Sequence, residues 1–245
     1  SEKRNEGNLI WIHAASIGEL ISASPLIEAV NNMQNVNRIL ITTITLSSSK
    51  ILEKKINSQK KIVHQFLPID VPKYVLKFLD HWKPNLSIFL ESEIWPNLIE
   101  KTKEKKIPLI LVNGRITKKT FQKWNFFSRF SKKIFSKFDL CFAQNKETEN
   151  YLKNLGAKNI KNHGNLKFAN TNFFDVEISN NNISNLFKDK LIWCAASTHK
   201  TEENFCGNVH KKLKKKYSNV LTIIIPRHIH RVKSILSELS RLELK

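Results

Sequence analysis

Short apolar runs separated by helical patterns recur along most of this chain, and that alternation leaves few folds open. A strand that is apolar throughout needs cover on both faces, and a helical crossover of about a dozen residues returns the chain for parallel pairing. The runs Leu9–Ala14, Arg38–Thr43, Lys61–Leu67, Asn85–Leu90, Pro108–Val112 and Asp139–Ala143 read as strands. Helical spacing fills Ile17–Asn31, Leu46–Asn57, Tyr74–His81, Trp95–Lys105 and residues 118–138, with Lys83-Pro84 ending one of these helices. The fold class this predicts is α/β: a parallel sheet with helices on both faces.

The pattern pauses and then restarts. Residues Asn170 to Asn185 are rich in Asn and Ser, and Asn180-Asn181-Asn182 reads as a linker. Beyond it, Leu191–Ala195 and Val220–Ile225 read as strands, and Thr201–Tyr217 and Ile229–Leu239 as helices. Local wording repeats as well: Trp11-Ile12-His13-Ala14-Ala15-Ser16 is echoed by Trp193-Cys194-Ala195-Ala196-Ser197 where a first strand hands over to a first helix. Two Rossmann-like domains are expected, residues 1–178 and 179–245. Two strands do not complete a doubly wound sheet, so the second domain is expected to be truncated here.

Composition narrows the function classes less than its net charge of +20 suggests. Such a balance fits an acidic partner, either nucleic acid or an anionic membrane. Yet only seven of the 41 basic residues are Arg, and Lys, Asn, Ile and Phe, all abundant here, share A/T-rich codons, so base composition competes as the source. No run of about 18 apolar residues crosses a bilayer. Three scattered cysteines form neither a disulfide framework nor a C-x-x-C pair, which favours a reducing compartment. With six glycines and no G-x-G-x-x-G or Walker A motif, dinucleotide and P-loop readings fall away.

In an open α/β sheet ligands bind beyond the carboxyl ends of the strands, and the polar residues cluster in those turns. In His13-Ala14-Ala15-Ser16-Ile17-Gly18-Glu19, Glu19 is either a carboxylate complementing the helix dipole or a general base aimed into a cleft. Ser16 is either its helix's N-cap or a ligand contact. Glu91-Ser92-Glu93 places two carboxylates on opposite sides of an extended segment, so the two are expected to do different work, one facing the cleft and the other capping the helix that Pro96 helps begin. Arg115, after Asn113-Gly114, either grips an anion bidentately or forms a surface salt bridge. Lys167 either stabilises developing negative charge or is one more solvated lysine. Ser197-Thr198-His199 and Pro226-Arg227-His228 sit at the two later strand ends, where Arg227 and the helix N-terminus after it are expected to make a diphosphate- or phosphate-binding corner. His228-x-His230 lacks a third ligand, so no metal is expected. Phe121, Trp124, Phe127, Phe130, Ile134 and Phe138 recur at helical spacing among lysines, either as a basic membrane-facing helix or as a stripe packed on its own domain.

Taken in order, H-A-A-S-x-G-E from His13, E-S-E-I-W-P-N-L from Glu91, N-G-R from Asn113, G-N-L-K-F from Gly164, A-A-S-T-H from Ala195 and P-R-H from Pro226 resemble the Kdo transferases of lipopolysaccharide assembly. The resemblance runs from about Leu9 to about Arg231. It implies a GT-B glycosyltransferase with an N-terminal acceptor domain and a C-terminal nucleotide-sugar domain. Such an enzyme moves 3-deoxy-D-manno-octulosonic acid (Kdo) from CMP-Kdo to a lipid A precursor, lipid IVA. It also implies that Glu19 is the general base, that Glu91 and Lys167 stabilise the transition state, and that Pro226 and Arg227 begin the CMP site. Substrate contacts are expected at His13, Ser16, Gly18, Glu93, Arg115, Ser197, Thr198 and His199. Neither cofactor nor metal is implied. The expected partners are the two substrates and an anionic membrane surface rather than nucleic acid, at the cytoplasmic face of the bacterial inner membrane. The family's N-terminal hydrophobic anchor and its later D-T-x-G-E-L-like and G-G-H-N-x-x-E-like segments do not occur here, so these 245 residues alone are expected to turn over poorly. A transferase using another sugar nucleotide is the alternative, with a basic nucleic-acid-binding protein behind it.

Overall fold

A computed structural model of the chain describes residues 4, 6–46, 48, 49, 52, 60–169 and 187–242. The chain divides into two compact units, Ser1–Asp175 and Val176–Lys245. The expected boundary at 178/179 and the Asn-rich linker fall within residues 170–186, outside the described residues.

The first unit is built on a seven-stranded sheet in the order β3-β2-β1-β4-β5-β6-β7, with every neighbouring pair parallel. The strands are β1 (Leu9–His13), β2 (Arg38–Thr43), β3 (Ile62–Phe66), β4 (Leu86–Leu90), β5 (Leu109–Gly114), β6 (Leu140–Ala143) and β7 (Ile160–Asn162). The helices are α1 (Ile17–Ser22), α2 (Ser24–Asn31), α3 (Pro72–Trp82), α4 (Pro96–Glu104), α5 (Lys118–Phe126), α6 (Ser128–Phe135) and α7 (Lys146–Leu155), and a 3-10 turn spans Leu166–Phe168. Side chains alternate across the strands, which sorts the apolar residues into two cores. Leu9, Trp11, Leu40, Phe89, Leu109 and Leu111 join the cluster on one face, while Ile12, Ile39, Ile41, Ile88 and Leu90 join that on the other.

The strand order reverses between β1 and β4, where the crossovers leave in opposite directions and a crevice opens past the strand ends. Both acidic loops read from the sequence lead out of that point. The loop after β4 is set by α4, whose N-terminus has no capping side chain of its own. Asp70 supplies one from the loop after β3, its carboxylate accepting from Asn97 N at 3.2 Å and Leu98 N at 2.8 Å.

Several expected elements divide or shift. The helix expected over Ile17–Asn31 is two helices meeting at Ala23, because Pro25 lacks an N–H and its ring excludes the carbonyl of the turn before it. The helix expected over 118–138 breaks at Phe127, whose φ of −104° and ψ of 56° are not helical. Of Leu46–Asn57, positions 46, 48, 49 and 52 are helical and the remainder lies outside the described residues.

The second unit contains β8 (Leu191–Thr198) paired in parallel with β9 (Val220–Pro226), helices α8 (Glu202–Lys214) and α9 (Val232–Ser240), and a 3-10 turn at Ile229–Arg231.

Candidate functional site

At the carboxyl edge of the first unit, α1 starts on Ser16, whose Oγ accepts from Glu19 N at 3.3 Å. Glu19 reaches back, its Oε2 accepting from Ala15 N at 2.6 Å. This S-x-x-E pairing satisfies N–H groups that the first helical turn leaves open and pins the carboxylate at the crevice. Burial and the neighbouring Glu93 charge push Glu19 up to about 7, Glu91 adding to the rise while the N–H groups of Ala15 and Ser16 oppose it. A carboxyl poised there exchanges protons near neutral pH, as a general base requires. Gly18 is exposed in the first turn, and beside it a cleft of about 730 Å³ runs between Gly18 and Ile21 of α1 and the 3-10 turn carrying Lys167.

The loop after β4 carries the other two carboxylates. Glu91 is buried and held at φ +49°, a conformation costly for a residue with a Cβ. Its Oε1 lies 2.9 Å from Lys167 Nζ, a charge pairing without the alignment of a hydrogen bond. Asn113, at φ +54° and also buried, accepts from Leu166 N at 3.1 Å, which docks the 3-10 turn and so delivers Lys167 to Glu91. Asn165 Oδ1 accepts from Lys167 N at 3.0 Å and tightens the same turn. Strained non-glycine residues at two adjacent strand ends mark the edge where surrounding structure holds the backbone against its preference.

Glu93 is fixed differently: its Oε2 accepts from Trp95 Nε1 at 2.7 Å and lies 3.1 Å from His13 Nε2. His13, expected to touch substrate, is wholly buried and reaches the edge only through Glu93. Arg115 has its backbone N–H on Glu91 O at 3.1 Å while its side chain is exposed. The structure thus gathers His13, Ser16, Gly18, Glu19, Glu91, Glu93 and Lys167 at one sheet edge. It adds Thr42, Trp95 and Asn113, which sequence reasoning did not select as site residues, although Trp95 and Asn113 stand inside two of the motifs.

In the second unit, Ser197 takes φ +60° at the end of β8 and Arg227 N donates to Thr198 O at 3.0 Å, bringing the two later motifs together. Thr198 is buried and donates its hydroxyl to Glu203 Oε1 at 3.0 Å. Glu203 in turn takes both guanidinium arms of Arg231 at 2.8 and 3.0 Å, tying the β8–α8 loop to the turn after β9. His199 N donates to Glu202 Oε2 at 2.7 Å, Pro226 pairs with Thr198 across the strands, and the Arg227 side chain is exposed. The rings of His228 and His230 stack at 5.5 Å, but among the described residues no group of three His, Cys, Asp or Glu side chains can hold a metal ion.

Comparison with known proteins agrees with this layout. Solved structures share the fold, among them the UDP-GlcNAc 2-epimerase from Neisseria meningitidis bound to UDP-GlcNAc, with a TM-score of 0.64 over 96% of this chain and 69% of that one at 14% identity. A likeness at that identity speaks for the fold alone, the α/β fold of GT-B-type enzymes. In sequence, the chain is 39% identical over 228 residues to a 3-deoxy-D-manno-octulosonic acid transferase of Rickettsia bellii, covering 93% of this chain and 54% of that protein. It is 38% identical over 229 residues to one of Rickettsia felis, covering 94% and 49%. The chain therefore spans about half the length of the curated relatives it matches. A family model described as 3-Deoxy-D-manno-octulosonic-acid transferase (kdotransferase) matches residues 1–170, the span that holds the acidic edge, and the chain belongs to that family.

Proposed function

We propose that this chain carries the acceptor half and part of the donor half of a glycosyltransferase that moves Kdo from CMP-Kdo to a lipid A precursor such as lipid IVA. The observation that carries the reading is Glu19: a carboxylate held at the switch point, pushed up to about 7, with Glu91, Glu93 and Lys167 around it. In the proposed step a sugar hydroxyl of the acceptor gives its proton to Glu19 while its oxygen bonds to the anomeric carbon of Kdo. The bond from that carbon to the phosphate oxygen breaks, and CMP leaves with the electron pair. Glu91 faces positive charge gathering at the anomeric centre, and Lys167 balances negative charge on the departing side. Arg227, beside the strained Ser197, offers an exposed guanidinium for the phosphate. The step routes no proton or charge through a metal.

A site at an anionic membrane, on the cytoplasmic face of the bacterial inner membrane, is part of the same proposal. Among the described residues no helix is long and apolar enough to cross a membrane, and the contact proposed is peripheral. The junction of α5 and α6 suits it: Phe126, Phe127 and Phe130 are exposed amid Lys123, Arg129 and Lys132.

The test is Kdo transfer by the complete gene product supplied with CMP-Kdo and lipid IVA. Glu19→Ala should lower kcat by roughly a hundredfold or more while the protein stays folded by circular dichroism. Equal rates would remove Glu19 from the chemistry, and a folded wild-type enzyme that makes no product would turn the reading towards another sugar nucleotide.

A further inference from the structure

A buried chain of polar groups runs behind the acidic edge. Trp11, Thr42 and His13 are each fully buried, yet all three carry polar atoms. Trp11 Nε1 donates to Thr42 Oγ1 at 2.8 Å, because an indole N–H can only donate. His13 Nδ1 lies 3.0 Å from Thr42 Oγ1 and 3.1 Å from Thr42 O. His13 Nε2 faces Glu93 Oε2 at 3.1 Å, and the same oxygen takes the Trp95 indole N–H at 2.7 Å.

Proton counting selects one arrangement. If Nδ1 carried the ring proton it would donate to Thr42 O, which already accepts from Ala14 N at 3.0 Å. A bare Nε2 would then face a carboxylate oxygen lone pair to lone pair, and the Thr42 hydroxyl proton would lose this partner. A doubly protonated ring would leave the Thr42 hydroxyl proton without its Nδ1 acceptor, in a buried site packed edge-on against Phe89. With the proton on Nε2 every donor has an acceptor: Trp11 to Thr42, Thr42 to His13 Nδ1, His13 Nε2 to Glu93, and Trp95 to Glu93.

We infer that Thr42 is a positioning residue: its hydroxyl, oriented by Trp11, donates to Nδ1 of neutral His13 and so anchors the ring in the Nε2–H tautomer that clamps the Glu93 carboxylate at the site edge. An uncharged imidazole lets the core clamp Glu93 without burying a second ion. The consequence for transfer rests on the acceptor-site reading above, since a mobile Glu93 would no longer hold its charge beside Glu19. The tautomer itself is read without any substrate, so its failure and that of the transferase reading are told apart.

The experiment is nitrogen-15 NMR of the imidazole rings in the 245-residue chain at neutral pH, with His13→Gln identifying the His13 signals. Wild type should show one protonated ring nitrogen on His13, and it should be Nε2. Thr42→Val removes the hydroxyl at constant shape; Glu93 still faces Nε2, so the proton stays there, and the bare Nδ1 should lose its donor, its resonance moving towards that of an imidazole nitrogen without a hydrogen bond. Thr42→Ser should return the wild-type Nδ1 resonance, and Trp11→Phe should leave Nε2–H in place because Glu93 and the Thr42 hydroxyl still face the ring. A wild-type Nδ1–H or doubly protonated ring overturns the inference, and so does a folded Thr42→Val chain whose Nδ1 resonance is unchanged. Should Thr42→Val not fold, the wild-type tautomer and the Thr42→Ser result decide.

Discussion

Glu19 serves its helix and the candidate chemistry with the same atoms, and the two demands leave an electrostatic trace. Its folded value of about 7 stands above the ordinary 4.5, so the folded chain holds this proton more tightly than the unfolded chain does. The contribution to stability is therefore full below about 4.5 and is lost as pH rises towards 7, after which it stays lost. Glu19→Gln keeps an acceptor for the Ala15 N–H without the charge. Thermal melts should show the variant level with wild type near pH 4.5 and more stable above pH 7. The gain should be about 1 kcal/mol, reduced from the full shift by solvent screening of a partly exposed group, or roughly 2–4 °C in Tm. A gap of the same size at both pH values would show that the carboxyl is not perturbed. At this scale the sequence was informative wherever partners are close in the chain. Ser16 and Glu19 form a capping pattern three residues apart, which bears out the N-cap reading of Ser16 and places the Glu19 carboxylate at the crevice. Partners far apart in the chain were not legible. Thr42 lies 29 residues from His13 and Asn113 lies 53 from Leu166, distances closed only by parallel pairing and by the docked turn.

The aromatic segment after β5 shows how an element can be read correctly in composition and wrongly in course. Helical spacing put its aromatics on one stripe of one helix. On a continuous helix Trp124 and Phe135 would stand about 16 Å apart along the axis. Breaking at Phe127 folds α6 back, so that Trp124 stacks on Phe130 at 6.2 Å and meets Phe135 edge-on at 5.3 Å. No Pro or Gly marks that break, which is why tertiary packing rather than local preference decides it. Phe121 goes inward as well, stacked on Tyr151 at 4.5 Å. Packing thus takes part of the stripe and leaves Phe127, with the neighbouring Phe126, at 63% and 80% exposure on the knuckle, the surface proposed for membrane contact. Changing both to Ser should lower co-sedimentation with anionic vesicles about tenfold, as expected for losing two partly inserted rings. Wild-type binding should also fall steeply with added salt, since the flanking lysines act through a screened field. Binding unaffected by the double change would move the membrane surface elsewhere. Two further elements had weak or unread signals. β7 is three residues long with Lys and Asn in it, too short for any periodicity. α7 was signalled by its caps, Asn145 accepting from Thr148 N and Gly156 taking φ +106° after the last turn, rather than by an apolar stripe.

Over the whole molecule, the alternation of strands and helices translated directly into a parallel sheet because fully buried strands carry their signal in a few adjacent residues. What alternation does not report is how well each unit is closed. The first unit buries apolar side chains on both faces of seven strands, in two clusters that share the sheet as their common wall. In the second, the buried apolar residues among those described are Cys206, Val220 and Ile235, while Leu191, Ile192, Ile225 and Leu236 stand exposed. Two strands with so little burial are marginal in water, since a stable sheet needs more strands or a covered face. The two units should therefore differ in stability, and one unfolding free energy should not describe the chain. Residues 1–175 produced alone should unfold cooperatively in urea and coincide with the main transition of the 245-residue chain. Residues 176–245 alone should bind an apolar dye such as ANS and lose their far-UV signal gradually. A sharp cooperative melt of residues 176–245 would contradict this, and would mean that Glu203–Arg231, with the β8–β9 pairing it reinforces, closes that unit without a larger core. The expected outcome instead gives that ion pair a local role. It holds Thr198 and the turn after β9 in register, while the folding free energy of the molecule resides in the unit that carries Glu19.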